Sequence, residues 1–499
     1  MWRDRASPVG TQGWLSRGFI ERATICIPAP SRHGLQDLGK DALIASSSSR
    51  SCGGPRAASA RLVAAVAGLL LLAGIGGWPA AQASGSDEPD GAGARLELDP
   101  DSLRDGTDDQ DGSLDEEVAR ELSDLLEGLA QALASADEDA MAGLLHDPEG
   151  EVGERWRTRA ANLAEVPFDD LGLRLDPRPG VMTTDRARAR FPDVDEVVVV
   201  GVLEEHVLAG HDLDGPARHR HTLTFVREDD EWRLADDRDG RILGRPEPGF
   251  LWDLTPVTTT AQGPVLALHP EDASGVAQLV GETVAAMEIL PQRWPADWSQ
   301  RAVLSVPSDR EQLSHVVGGT LDLDDFLAFA SATAYSAPGV HEITGTRLVV
   351  NPDRFPTSPD ARERVLLHEL VHVATRPVAS HRLPPWLEEG VAQALGEEGP
   401  STGHTRQLDA LGAQGRRLPT DAEFAALGRQ ATLLAYQRSY SFTDHLVERR
   451  GRSAVVAFYL AVGQSVHDPG TVGYRLDEAA ERELGADLDT LVADWRAAG

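Results

Sequence analysis

The run Val365-Leu366-Leu367-His368-Glu369-Leu370-Val371-His372-Val373 carries the pattern H-E-x-x-H inside an apolar stretch. On a helix, side chains four positions apart stand one above the other on the same face. His368 and His372 have that spacing. Two imidazoles so stacked can hold a single metal ion at the roughly 2.0–2.1 Å of a Zn–N bond. Glu369, beside the first histidine, can reach a water at such an ion without being a ligand, which is where a general base belongs. Taken alone, the pentapeptide fits equally well a buried helix with two incidental histidines. A catalytic zinc needs three protein ligands and one open position, so the surroundings decide.

Ser358 and Pro359 suit the N-cap and first position of that helix, with Asp360 in its first turn and Pro377 as its stop. Pro385 suits the start of a following helix, on which Leu387, Val391, Ala394 and Leu395 make an apolar stripe. Glu388 and Glu389 fall in its first turns, where the helix dipole favours carboxylates, so a solvated role is open to both. The segment Trp386-Leu387-Glu388-Glu389-Gly390-Val391-Ala392 resembles the W-L-x-E-G-x-A signature of the gluzincin metallopeptidases, which include the aminopeptidase N family. The resemblance implies that Glu389, the glutamate before the glycine, is the third zinc ligand, and leaves Glu388 as a solvated acid. Sixteen residues separate His372 from Glu389, enough for one helix to end and another to return alongside.

Ala435 to Phe442 opens a further helix that resembles the gluzincin helix carrying a tyrosine and, two positions on, a basic residue. The resemblance implies that Tyr436 donates to the oxyanion of a tetrahedral intermediate, a role a phenol can fill across a cleft. Ser439 stands where the family has glycine. Tyr440 and His445 are alternates on the same helix, and a plain core role is open to Tyr436 as well.

Two other units lie around this set. From Glu116, apolar residues Val118, Leu122, Leu125, Leu126, Leu129 and Leu133 predict an amphipathic helix, Met141 to Leu145 a second and Arg155 to Leu163 a third. After Pro167 the period changes to two, predicting strands over Leu171–Leu175, Ala187–Phe191, Val194–Val207 and Arg218–Arg227. A turn at Asp229-Asp230 then leads to Trp232–Ala235. Helices followed by a meander of long strands resemble the nuclear transport factor 2-like cone. His219 and His221 alternate on one strand face and could bind a metal, although a solvated or satisfied pair is the commoner outcome. Nearer the motif, Val265–His269 and Ala302–Val306 predict strands, and Ser274–Leu290 and Asp309–Val317 predict helices. Gly345–Asn351 predicts a strand just before the motif helix. This resembles the small upper sheet of a gluzincin, whose edge strand can pair with an extended substrate. Glu423–Leu434, Tyr436–Arg450, Ala454–Val462 and Leu476–Trp495 predict an all-helical lower half.

The expected class is α+β with two domains: a cone-shaped unit over residues 116–245 and a gluzincin-like metallopeptidase over 264–499, joined by a Pro-, Gly- and Thr-rich linker at 246–263. Residues 84–115 form an acidic linker. Residues 1–83 are the leader: Arg61, then sixteen uncharged residues from Leu62 to Gly77, then Ala81-Gln82-Ala83. That order is a secretory signal with its cleavage site, or an uncleaved anchor, and either puts the remainder outside the cytoplasm. Both cysteines, Cys26 and Cys52, lie in the leader, so any later zinc site is made of histidine and carboxylate. Past residue 83 the chain holds 38 basic against 76 acidic residues, which argues against nucleic acid or an anionic membrane as partner.

The expected activity is therefore that of a secreted zinc peptidase with one catalytic Zn²⁺, His368, His372 and Glu389 as ligands, Glu369 as base, and a peptide or protein as substrate. No G-x-M-E-N signature is present, so exopeptidase action has no support. The rival from another class is an exported binding protein, its cone holding the ligand and its zinc domain a scaffold.

Overall fold

A computed structural model of the chain describes residues 20–25, 114–176, 185–242, 248–319, 323–324, 326–337, 340–379, 383–396, 408, 415–424, 429–464 and 472–498. The apolar leader core, its cleavage site and both cysteines lie outside these residues, as does all but the end of the acidic linker. Among the described residues no helix is long and apolar enough to cross a membrane. The fold is mixed α/β, with a curled antiparallel sheet and a second, mixed sheet.

The first half opens with α1 (Glu116–Ser135), α2 (Glu138–Gly143) and α3 (Glu151–Asn162). Asp115 caps α1 by accepting from the Glu117 N–H, and Leu122, Leu126, Leu129 and Leu133 line its buried face. The curled sheet runs in chain order, β2 (Phe168–Leu175), β3 (Glu196–Leu208), β4 (Ala217–Glu228) and β5 (Glu231–Asp236), every pair antiparallel. Asp229 and Asp230 both have positive φ, the backbone that a two-residue hairpin of matching twist requires. Residues 187–191, expected as a strand, instead lie mostly within helix α4 (Asp185–Arg190). Alternation over so few residues is weak, and alanine and arginine are both strong helix formers.

A short helix, α5 (Asp239–Ile242), leads on to the second sheet. Its strands are β6 (Val257–Gln262), β7 (Val265–Pro270), β8 (Ala302–Ser305), β9 (Ala328–Ala337) and β10 (Val340–Val350), with β1 (Ile20–Ile25) at one end. The order is β1-β9-β10-β8-β7-β6, parallel at β10/β8 and β8/β7 and antiparallel elsewhere. The strand before the motif helix is therefore interior, and β1, from within the stretch expected as the leader, lies antiparallel on β9 and against the motif helix. Much of the joining segment is structured too, since it supplies β6 and the buried Leu251 and Trp252.

Helix α6 (Val276–Arg293), α7 (Arg310–Val316) and the motif helix α8 (Pro359–Thr375) accompany this sheet. Then come α9 (Pro385–Gly396), α10 (Asp421–Phe424), α11 (Arg429–Arg450), α12 (Arg452–Gln464), α13 (Val472–Leu484) and α14 (Leu488–Ala497). Gly485, at φ 78°, breaks what the sequence reads as one terminal helix into α13 and α14. Among the described residues two large apolar cores and two small ones result, and the division of the large ones does not follow the chain. Leu266, Leu268 and Val303 belong to β7 and β8 but pack with Leu126, Val202, Phe225 and Trp252 of the first half. Each such leucine, fully buried, contributes roughly 1.5–3 kcal/mol of transfer free energy.

Candidate metal centre

Helix α8 is fixed at both ends by local chemistry. The Ser358 hydroxyl accepts from the Ala361 N–H at 3.3 Å with Pro359 at the first position, and Pro377 lies just beyond its end. Every residue from Val365 to Thr375 is buried, as befits a helix covered on all sides. Helix α9 returns alongside, beginning at Pro385. Gly396 lets it close on α8, since a Cβ there would lie 3.0 Å from the His368 backbone nitrogen. Gly390 does the same toward α11, where a Cβ would stand 2.8 Å from the Ser439 carbonyl oxygen. The glycine after Glu389 and the small residue at 439 therefore meet at one helix contact.

This packing brings the three expected ligands together. The Nε2 atoms of His368 and His372 are 3.1 Å apart, and Glu389 Oε2 lies 3.5 Å from the first and 3.7 Å from the second. Bonds of 2.0–2.1 Å to a tetrahedral ion put ligand atoms about 3.3 Å apart. The three side chains are 1–2 % exposed, so no water screens the cluster. Burial pushes His368 down to about 3, against a hydrogen bond from Gln393. Burial likewise takes His372 down to about 4, against the pull of Glu389. Burial thus favours neutral rings, and their two Nε2 atoms turn to one point, as ligands to a cation must. Burial raises the Glu389 carboxyl, and its Oε2 has no hydrogen-bond donor of its own. The donor set fits a metal ion.

Glu369 is fully buried, next to His368 in the chain. Gln393, one turn after Glu389, is the side chain that acts on the His368 ring from outside, although His368 Nδ1 makes no hydrogen bond. Tyr436 is buried on α11, edge-on to Phe424 at 5.4 Å between centroids. It sits one turn before Ser439, on the stripe that meets Gly390. Tyr440 and His445 are buried on the same helix. Glu388, expected in solvent, is instead 8 % exposed and faces Arg376. Arg376 had no assigned part, yet its place four residues after His372 continues the spacing of the two histidines.

His219 and His221 are instead engaged by protein partners. His221 Nε2 donates to Glu204 at 2.9 Å, and His219 Nδ1 to the Pro248 carbonyl at 3.1 Å. Arg159 also binds the Glu204 carboxylate, and its Nε lies 3.1 Å from Asp253. Among the described residues, His368, His372 and Glu389 form the one group able to hold a metal. No family model matches the chain, and no curated protein matches it in sequence.

Proposed function

We propose that the chain is a zinc-dependent peptidase of gluzincin type, acting outside the cytoplasm on a peptide or protein. The observation that carries this reading is the convergence of His368 Nε2, His372 Nε2 and Glu389 Oε2 at mutual distances of 3.1–3.7 Å. Two imidazoles and one carboxylate suit zinc, and three protein ligands leave a fourth position open, as a catalytic site does and a structural one does not. When bound, zinc would polarise the scissile carbonyl and lower the pKa of water toward about 7. Glu369 takes the proton of the attacking water and returns it to the leaving amine. Gln393 holds the His368 ring in place, and the Tyr436 hydroxyl donates to the developing oxyanion.

The first half, read as a nuclear transport factor 2-like cone, serves this proposal as a scaffold. Phe250 and Trp252 stack at 4.3 Å, and His206, His219 and Phe168 close around them at 3.9–5.7 Å. Those side chains come from the chain itself, which weighs against the rival reading of the cone as a ligand pocket.

Metal analysis of the purified chain, paired with a chelator-reversible cleavage assay on a mixed peptide library, tests metal and activity together. Glu369→Gln is expected to keep full zinc and to lose about 10²–10⁴ in turnover. Cleavage at the parent rate by that variant would remove Glu369 from the mechanism. A zinc-replete parent that cleaves nothing would favour the scaffold reading.

A further inference from the structure

Strand β9 would end its sheet were it not for β1. The sheet order begins β1-β9-β10, and β1 runs antiparallel to β9 from Ile20↔Ala334 to Ile25↔Phe329 without a shift of register. Between Phe329 and Ala334, the β9 amides and carbonyls that turn away from β10 therefore find their partners in residues 20–25. β1 also lies against the motif helix α8, as β9 and β10 do. A strand edge beside the helix of the metal centre is thus covered by the chain itself.

Uncovered, that edge would be receptive. Ala328 to Ala337 holds neither a charge nor a proline, the devices that blunt a free strand. The place of β1 in the sequence decides when the cover is lost. β1 precedes the apolar run Leu62 to Gly77 and the site Ala81-Gln82-Ala83, and β9 follows both. Cleavage after Ala83 is a hydrolysis by a separate leader peptidase, which adds one water across the Ala83–Ser84 amide. It would turn an intramolecular pairing into a bimolecular one and remove the advantage of the tether. An uncleaved anchor with its basic end inside would hold the two strands on opposite sides of the membrane. On either course the exported chain loses β1 from its sheet.

We propose that residues 20–25 are a built-in cover strand, which closes the outer edge of β9 before export and is lost at export, leaving that edge open to an extended peptide backbone. This rests on the export part of the reading above and not on zinc. It is tested on the full-length chain by amide hydrogen exchange over Phe329 to Ala334, with thermal unfolding and zinc content measured alongside. Arg22→Pro with Ala23→Pro puts a proline at both ladder positions, so one of the two removes a donor to β9. Exchange at the β9 amides that face β1 should rise about tenfold, on the scale of one net hydrogen bond each, while unfolding temperature and zinc content hold. A blocked peptide of residues 19–25, at the millimolar concentration that a tether supplies, should restore slow exchange in the variant. The same peptide carrying both prolines should not. Exchange unaltered by the prolines, no restoration by the peptide, or equal restoration by its proline form would each overturn the proposal. Should the variant not fold, the chain recovered after export decides it: its β9 amides should exchange at the fast rate, and slow exchange there would overturn the cover. A chain found uncut and wholly in the cytoplasm would instead sink the export reading.

Discussion

Two histidine–carboxylate groups among the described residues have opposite fates. In the first half, Glu204 receives Arg159 and His221 on one oxygen, and Asp253 receives Arg159 and His315, the latter at 3.0 Å. His206 faces the Arg347 guanidinium at 3.1 Å, and Arg347 in turn holds Asp212 at 2.6–2.8 Å. In the second half, no guanidinium among the described residues bonds Glu389, whose Oε2 instead faces the Nε2 atoms of two imidazoles. The ligand types are the same. What differs is the convergence: Arg159 and His221 both bond one oxygen of Glu204 and leave the other buried without a hydrogen bond, whereas Glu389 Oε2 shares one point with two imidazole nitrogens. Histidine spacing alone is therefore a poor guide; three ligand atoms meeting at one point are the better one.

The contrast can be broken most sharply by exchange of ligands. His372→Ala or Glu389→Ala is expected to abolish stoichiometric zinc, whereas His221→Ala keeps it; loss of zinc from the latter in metal analysis would mean the wrong cluster was chosen. Next in size, Arg159→Met strands the Glu204 carboxylate, which is 0 % exposed, and should cost about 3–5 kcal/mol in denaturant unfolding while leaving zinc affinity intact. Equal stability would show that the ion network is dispensable. Tyr436→Phe sharpens the other side: turnover should fall about ten- to a thousandfold at unchanged zinc content, and an unaltered rate would pass the role to Tyr440 or His445.

The smallest effect is a pH dependence. Burial, aided by Arg347, takes His206 from an ordinary 6.5 down to about 3, and burial takes His219 down to about 4. Between those values and about 6.5 the unfolded chain binds protons that the folded one refuses. Stability is thus fully present above about 7 and falls on acidification, by about 1.4 kcal/mol per pH unit for each ring. An unfolding midpoint that stays level from pH 7.5 to 5 would contradict the neutral assignment.

What the sequence made legible follows from range. His368, Glu369 and His372 are set by spacing on one helix, and Ser358, Pro359 and Pro377 mark its ends with local chemistry. The hairpin at Asp229-Asp230 is local in the same way. Glu389 came through because its neighbours Trp386, Leu387 and Gly390 each have a packing task, Gly390 against Ser439 above all. Strand β9 did not come through. Its residues Ala328 to Ala337 are mostly small and carry little strand preference, so only β10 and β1 on either side define it. Burial of Glu388 and the pairing of Arg347 with Asp212, 135 positions away, depend on which surfaces meet after folding, and composition does not encode that.

Leu266, Leu268 and Val303 face the first half of the chain rather than the motif helix. The sheet that leads to the metal centre is thus greasy on both sides. Expressed by itself, the stretch 264–499 would present that reverse side to water and would be expected to precipitate or to recruit a substitute cover. Any attempt to map catalysis onto a minimal fragment should therefore keep the first half of the chain.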